Sequence, residues 1–290
     1  MAVVRQRLNV ERVPDVALAV SDQLAALGIA EVVKPGMRIA VTGGSRGIAD
    51  IDTVLATVVA RLKAHGAKPF VIPAMGSHGG ALAKGQTEIL EGYGITETSM
   101  GCPIVSSLEV VQVGETPQGI PVFVDRSAAH ADGIAVVNRV KPHTDFIGEI
   151  ESGLMKMMVI GLGKYKGATI VHAHAVRLGL ATAIPAVARV VLSKCCILFG
   201  LAVLENAYHQ VARIVAIPSA SIKDTEKALL KEARQMMGTL PVDDLDVLIV
   251  DQMGKNISGT GMDTNVIGRI RISAVLSPNH PESLALWCAI

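Results

Sequence analysis

AVTGGSRGIADI, residues 40–51, continues the apolar run that starts at Met37, and its reading decides the fold class. A strand over Met37 to Thr42 runs into Gly43-Gly44-Ser45-Arg46-Gly47-Ile48, and a helix signal follows from Asp50 to His65. Strand, glycine turn and helix in that order build one unit of a parallel α/β sheet, whose crevice lies at the carboxyl ends of the strands. Glycines in the turn let backbone amides approach an anionic phosphate at a positive helix end. One reading is therefore an NAD(P)-dependent oxidoreductase of the short-chain type. Its chemistry needs a Tyr with a Lys four residues later. Here Tyr93, Tyr165 and Tyr208 are followed by Glu97, Thr169 and Ala212, and the turn's third glycine is replaced by Ala49. The glycine turn needs another explanation.

Composition narrows the class. The 290 residues carry a net charge of +1 with both signs interspersed, which argues against a nucleic-acid surface. Half of the chain is hydrophobic but only 3% is aromatic, so the apolar content is Ala, Val, Ile and Leu, the residues of buried parallel strands and close-packed helices. The run CCILFGLAVL, 195–204, is shorter than the roughly 20 residues a membrane span requires, and the first residues lack the apolar core of a signal peptide. A cytoplasmic protein is the expectation. Adjacent Cys195 and Cys196 match neither a disulfide framework nor a zinc spacing.

Working outward, helix signals cover 15–27, 81–91 and 222–237, and a long Ala- and Val-rich stretch over 168–192 reads as buried helix interrupted by Pro185. Strand signals cover 69–73, 108–113, 121–124, 133–137, 197–204 and 247–250. The alternation predicts a layered α/β fold, a mostly parallel sheet with helices on both faces. Gly238-Thr239-Leu240-Pro241 is the best boundary, which divides the chain into a cofactor- and substrate-binding domain over 1–240 and the start of a second, closing domain over 241–290, apparently incomplete.

Three strand ends carry unusual polar loads. Arg46 sits in the first turn, His78 in the glycine-rich loop Gly76-Ser77-His78-Gly79-Gly80, and His143 in Lys141-Pro142-His143-Thr144-Asp145. Any one of them alone would read as a surface residue, but three at one sheet edge can converge, and histidine serves as acid or base near neutral pH. Downstream, Lys156 lies in the apolar run Leu154-Met155-Lys156-Met157-Met158, where desolvation would lower its pKa and make the amine nucleophilic. His172 and His174 offer imidazole nitrogens to a transition metal. Two residues apart on a helix, they point about 200° from each other, so one at most faces the site.

The combination GSRGI, PAMGSHGG, VKPHTDF, ESGLMKMMVIGLGKYKGA and HAH, within residues 35–269, resembles the nickel-dependent lactate racemase family, in particular a branch of varied substrates. The resemblance implies a nickel pincer nucleotide, a pyridinium mononucleotide whose thioacyl groups hold nickel and which is tethered to a lysine. It places that tether on Lys156 and the nickel ligand on His172. The acid/base histidines fall on His78 and His143, the substrate-binding arginine on Arg46, and the carboxylate-binding lysine of the closing domain on Lys255. Gly44, Ser45 and Gly161 would border the cofactor. The implied partners are a small 2-hydroxy acid and the enzymes that make the cofactor. Two departures stand out: Met155 replaces the arginine before the tethering lysine, and Asp251 stands where the lactate enzymes carry a tyrosine, which argues against lactate itself. The expected activity is a racemase or epimerase of 2-hydroxy acids. The alternatives are the oxidoreductase above and a cofactor-binding homologue without activity.

Overall fold

The computed structural model describes residues 3–242, 245–254, 258 and 261–268. Its strands are β1 (Arg38–Gly43), β2 (Lys68–Pro73), β3 (Val110–Glu115), β4 (Pro121–Asp125), β5 (Gly133–Arg139), β6 (Ile197–Glu205) and β7 (Val211–Pro218). Its helices are α1 (Val16–Ala26), α2 (Ile29–Val32), α3 (Ile51–Ala64), α4 (Ala83–Gly92), α5 (Glu97–Met100), α6 (Arg126–Ala129), α7 (Leu154–Lys156), α8 (Lys164–Leu178), α9 (Leu180–Lys194), α10 (Ile222–Met236) and α11 (Thr264–Ile267). The main sheet has the order β2-β1-β5-β6-β7, parallel except for β7, and β3 pairs with β4 in a separate antiparallel ribbon.

Strand alternation builds two apolar layers. Ile39, Val41, Val71, Ala135 and Val137 face α1 and α3, where they meet Val20, Leu24, Val54, Leu55 and Val58. Ala40, Phe70, Ile72, Ile134 and Val136 face the other way, toward Leu154, Met158, Ile184, Val187 and Leu230. Because both faces are covered, the strands read as continuous apolar runs. The expected architecture, a mostly parallel sheet with helices on both faces, is the observed one. From β1 the chain fills β2 on one side and later β5 and β6 on the other, so the order reverses between β1 and β5, where a crevice opens at the carboxyl edge.

Three local readings of the sequence change. The stretch over 168–192 breaks at Gly179 (φ +76°), whereas Pro185 is carried inside α9. Pro185 is the sixth residue of α9, past the first turn, so it leaves the Ala181 carbonyl without its ladder donor while the helix continues. Residues 211–218, not among the strand signals read from the sequence, form β7, paired with β6. Residues 247–250 form no strand: Val247 and Ile249 are exposed at 73% and 88%. β-propensity becomes a strand only against a partner edge.

Lys164 is the largest fully buried side chain and has φ +54°. It starts α8 after the helical run that begins at Leu154, and its left-handed backbone turns the chain between them. Its Nζ lies 3.0 Å from the Asp125 carboxylate and donates to the Pro73 carbonyl oxygen. Burial lowers its pKa against the opposing pull of Asp125. Asp125 also accepts from Ala128 N at 2.9 Å. Asp125→Ala should therefore destabilise the fold by about 3–5 kcal/mol, the cost of leaving a buried charge unpaired. Urea unfolding checks this, and a loss below about 1 kcal/mol, the range of an exposed pair, would contradict it.

Candidate functional site

Loops from three adjacent strands, β2, β1 and β5, meet at the crevice. The β1 loop carries Gly44, Ser45 and Arg46. Tyr93 donates its hydroxyl to the Ser45 carbonyl oxygen (2.9 Å), and Glu205 at the end of β6 accepts from Ala49 N (2.9 Å) while paired with Arg139. The β2 loop carries His78, whose Nδ1 lies 2.7 Å from the Met75 carbonyl oxygen and 3.0 Å from Ser45 Oγ. Gln86, fully buried on α4, donates to the carbonyl oxygens of Gly76 (3.0 Å) and His78 (3.3 Å) and fixes this loop from behind.

The β5 loop carries Lys141 and His143. Lys141 bridges to Ser152 through backbone hydrogen bonds, N–H to carbonyl, of 2.9 and 3.3 Å. Buried Glu151, paired with Arg234, accepts from His143 N (2.7 Å) and Gly148 N (2.8 Å). From the far end of the described chain, Asn265 donates to the His143 carbonyl oxygen (3.0 Å) and Thr264 to that of Thr144 (2.6 Å). Phe146 stacks on the His143 ring with centroids 4.5 Å apart.

Lys156 ends α7 and leads into a π-helical turn over Met157–Gly161, an irregularity often found at functional sites. Glu226 of α10 is fully buried and accepts from Met155 N at 2.8 Å, so it caps the turn that carries Lys156. A Cβ on Gly153 would collide with this carboxylate, which explains the glycine. Gly44 and Gly161 are buried and have packing roles of their own: a Cβ on Gly161 would lie 2.8 Å from the Ala74 carbonyl oxygen, and one on Gly44 3.1 Å from Met157.

The electrostatics show which side chains share the crevice. Burial pushes Lys156 down to about 8, with Arg46 and Lys141 adding repulsion and Asp145 opposing. Burial, then Lys156, Lys141, Arg46 and His172, push His143 down to about 3. Lys141 is lowered by burial first, then by Arg139, while Asp263 opposes. Arg46, Lys141, His143, Lys156 and His172 thus act on one another, and the Ser45 contact brings His78 to the same edge. His172 is the member of the α8 pair that His143 senses. His172 Nδ1 donates to the Ala168 carbonyl oxygen (2.7 Å), which leaves Nε2 as a lone pair for a metal, oriented as metal-ligating histidines usually are. His174 makes the same bond to Ile170 (2.9 Å). Among the described residues no cluster of three or more His, Cys, Asp or Glu could hold a metal, so a metal here would need a ligand of its own. Lys255 lies outside the described residues.

Several of these residues escaped the sequence reading. Lys141 stood in the strand-end motif without a role. Glu226 had a signal: Ile222, Glu226, Leu229, Leu230 and Ala233 occupy the buried face of α10, and a lone carboxylate on an apolar face is one to be placed. Glu151, Tyr93 and Asn265 had none.

The fold is an α/β domain of the lactate racemase type. The sequence matches the lactate racemase N-terminal domain over residues 2–182, more than half of the chain, and the chain belongs to that family. The lactate racemase apoprotein of Thermoanaerobacterium thermosaccharolyticum has a similar fold, with a TM-score of 0.58 at 12% identity over 75% of this chain. This chain spans 55% of that protein's length. No curated protein sequence matches. Among the described residues no helix is long and apolar enough to cross a membrane.

Two measurements probe the turn around Lys156. With its pKa near 8, Lys156 should be acylated by a limiting amine reagent ahead of the surface lysines, with an inflection near pH 8 in the rate followed by peptide mass spectrometry. An inflection near the ordinary lysine value of 10.5 would contradict the buried setting. Burial also pushes Glu226 up to about 7 against the amides of Met155 and Leu154. The native state then binds the Glu226 proton more tightly than the unfolded chain, so stability should fall as pH rises from about 4.5 to about 7, by up to about 3 kcal/mol. Glu226→Gln should flatten that part of the stability profile in urea unfolding at a series of pH values. An unchanged slope would show that Glu226 is not its source.

Proposed function

We propose that the protein is a racemase or epimerase of 2-hydroxy acids that works with a nickel pincer nucleotide tethered to Lys156. One observation carries this reading: a half-buried amine with a lowered pKa stands in a basic crevice with a histidine that senses both it and His172, whose Nδ1 is taken up by the Ala168 carbonyl oxygen. The donor set suits the group. Lys156 can form the covalent tether, His172 can ligate the nickel, and the excess of positive charge favours a phosphorylated nucleotide and a carboxylate substrate. The bound cofactor would supply hydride acceptance from the substrate α-carbon and its return.

The chain's own residues do the rest. Arg46 and Lys141 stand at adjacent strand ends, where a carboxylate can take the planar fork of the one and the ammonium of the other. His78 and His143 serve the hydroxyl: its proton must leave as the α-hydrogen departs as hydride, and a planar 2-keto acid results. Lys255 would add a further cation from the segment after residue 254. The enzymes that make and insert the cofactor would be required partners.

The test is co-expression with pincer biosynthesis enzymes, followed by intact mass, nickel content and racemisation of paired enantiomers of a 2-hydroxy acid panel. A covalent mass increment that Lys156→Ala abolishes is expected, with nickel lost sharply in His172→Ala and weakly in His174→Ala. An increment that survives Lys156→Ala would overturn the tether. Loaded protein that racemises none of the panel would overturn the activity.

A further inference from the structure

The β5 loop lies inside the family-matched residues, yet two of its carbonyl oxygens are answered from the far end of the described chain. Asn265 Nδ2 lies 3.0 Å from the His143 carbonyl oxygen and 3.0 Å from Asp263 Oδ1. A side-chain amide nitrogen has two hydrogens, and here each meets an acceptor, so the amide is fully used and its orientation is set. The reversed amide would aim its oxygen at both acceptors. Thr264 Oγ1 donates to the Thr144 carbonyl oxygen at 2.6 Å. Asp263 also accepts from Asn265 N at 2.9 Å as the N-cap of α11, and its charge holds the Lys141 pKa up against burial. Three consecutive residues, 263–265, therefore act on Lys141, His143 and Thr144.

We propose that Asn265 is a positioning residue that acts through His143, and that with Thr264 it latches the end of the described chain onto the β5 loop. The part His143 plays in the chemistry rests on the racemase reading above; the latch does not. Glu151 accepts from the His143 amide (2.7 Å), Asn265 donates to its carbonyl oxygen, and the Asp145 amide donates to its Nδ1 (3.0 Å). Amide and carbonyl flank the Cα, so holding both fixes the backbone dihedrals, which in turn limit the rotamers open to the ring. Phe146 then packs on the ring with centroids 4.5 Å apart.

These contacts differ in where they come from. Asp145, Phe146 and Glu151 belong to the loop and travel with it. Support from outside comes from Arg234 on α10, through Glu151, and from α11, through Thr264 and Asn265. The loop's own contacts give it shape, whereas the outside contacts decide where in the crevice that shape stands. Asn265 makes its contact on His143 itself, 122 residues away along the chain. A displacement of about 1 Å at a reacting group can cost about 10²-fold in rate, so a hydrogen bond that touches no substrate can still govern turnover.

Amide hydrogen exchange in the full chain without cofactor tests the latch. The Asp145 amide, which His143 Nδ1 holds, should exchange about fivefold faster or more in Asn265→Ala, the scale of one hydrogen bond. The Ala49 amide, held by Glu205 in the neighbouring loop, should not change. In a His143→Ala background Asp145 has no ring to meet, so Asn265→Ala should add nothing. Thr264→Val removes the hydroxyl donor and should also speed Asp145, whereas Thr264→Ser keeps the donor and should not. An unmoved Asp145, equal acceleration at Ala49, or a full effect in the His143→Ala background would each overturn the proposal. In the loaded protein, Asn265→Ala should lower kcat about 10- to 10²-fold and change KM by less than about threefold, with nickel content and mass increment as in wild type. A raised KM at unchanged kcat would make Asn265 a substrate-binding residue and overturn its positioning role. If the wild-type protein loads and racemises nothing, the racemase reading falls, and the exchange rates still decide the latch.

Discussion

Three buried glutamates hold the crevice together, each by accepting backbone N–H groups from a different wall. Glu205 takes Ala49 N beside the Arg46 loop, Glu151 takes His143 N and Gly148 N, and Glu226 takes Met155 N beneath Lys156. A carboxylate that accepts backbone amides fixes the path of a loop more firmly than packing alone, because hydrogen bonds to a charged acceptor are short and directional. Everything the site does depends on loops set this way. Two of the three have their charge answered by an arginine, Arg139 for Glu205 and Arg234 for Glu151. Among the described residues Glu226 is answered by the amides of Met155 and Leu154 and no arginine, and burial raises its pKa against them.

These anchors are needed because the crevice gathers charge of one sign. Arg46, Lys141 and Lys156 repel one another in a partly desolvated place, where Coulomb energies exceed those in water. The carboxylates that oppose Lys156 and Lys141 most directly, Asp145 and Asp263, stand at the site as well. The repulsion has chemical consequences. Burial first, and this repulsion after it, disfavour a charged His143 and leave Lys156 a larger share of free amine at neutral pH. An anion that enters relieves the repulsion, so the same charges that destabilise the empty crevice favour its occupation.

The anchors also come from far along the chain. The family match ends at residue 182, but Glu205 lies on β6, Glu226 on α10, and Thr264 and Asn265 on α11. A basic loop cluster is built within the first 182 residues and locked by side chains beyond them. The π-helical turn after Lys156 and the left-handed backbone of Lys164 belong to the same design: they re-aim the chain between α7 and α8, so that the lysine and His172 approach one crevice from a single continuous segment.

The sequence by itself determined the fold class and the strand ends where the candidate site lies. Periodicity and glycine punctuation are local signals, so β1, β2, β5, β6 and the helices around them could be read directly, and the carboxyl ends of parallel strands are where chemistry is placed. Arg46, His78 and His143 were legible because unusual residues stood in glycine- or proline-marked loops. β7 was not, since its pairing depends on an edge of β6 that the sequence does not show, and residues 247–250 had strand propensity without such an edge. The break at Gly179 was hidden by Pro185, which reads as the stronger breaker but is carried inside α9. Only the tertiary structure decided which histidine nitrogen is free, because that depends on whether a carbonyl or an amide meets Nδ1. Only it could make Glu226, 71 residues along the chain from Met155, the cap beneath Lys156: a hydrogen bond of 2.8 Å has no trace in sequence spacing.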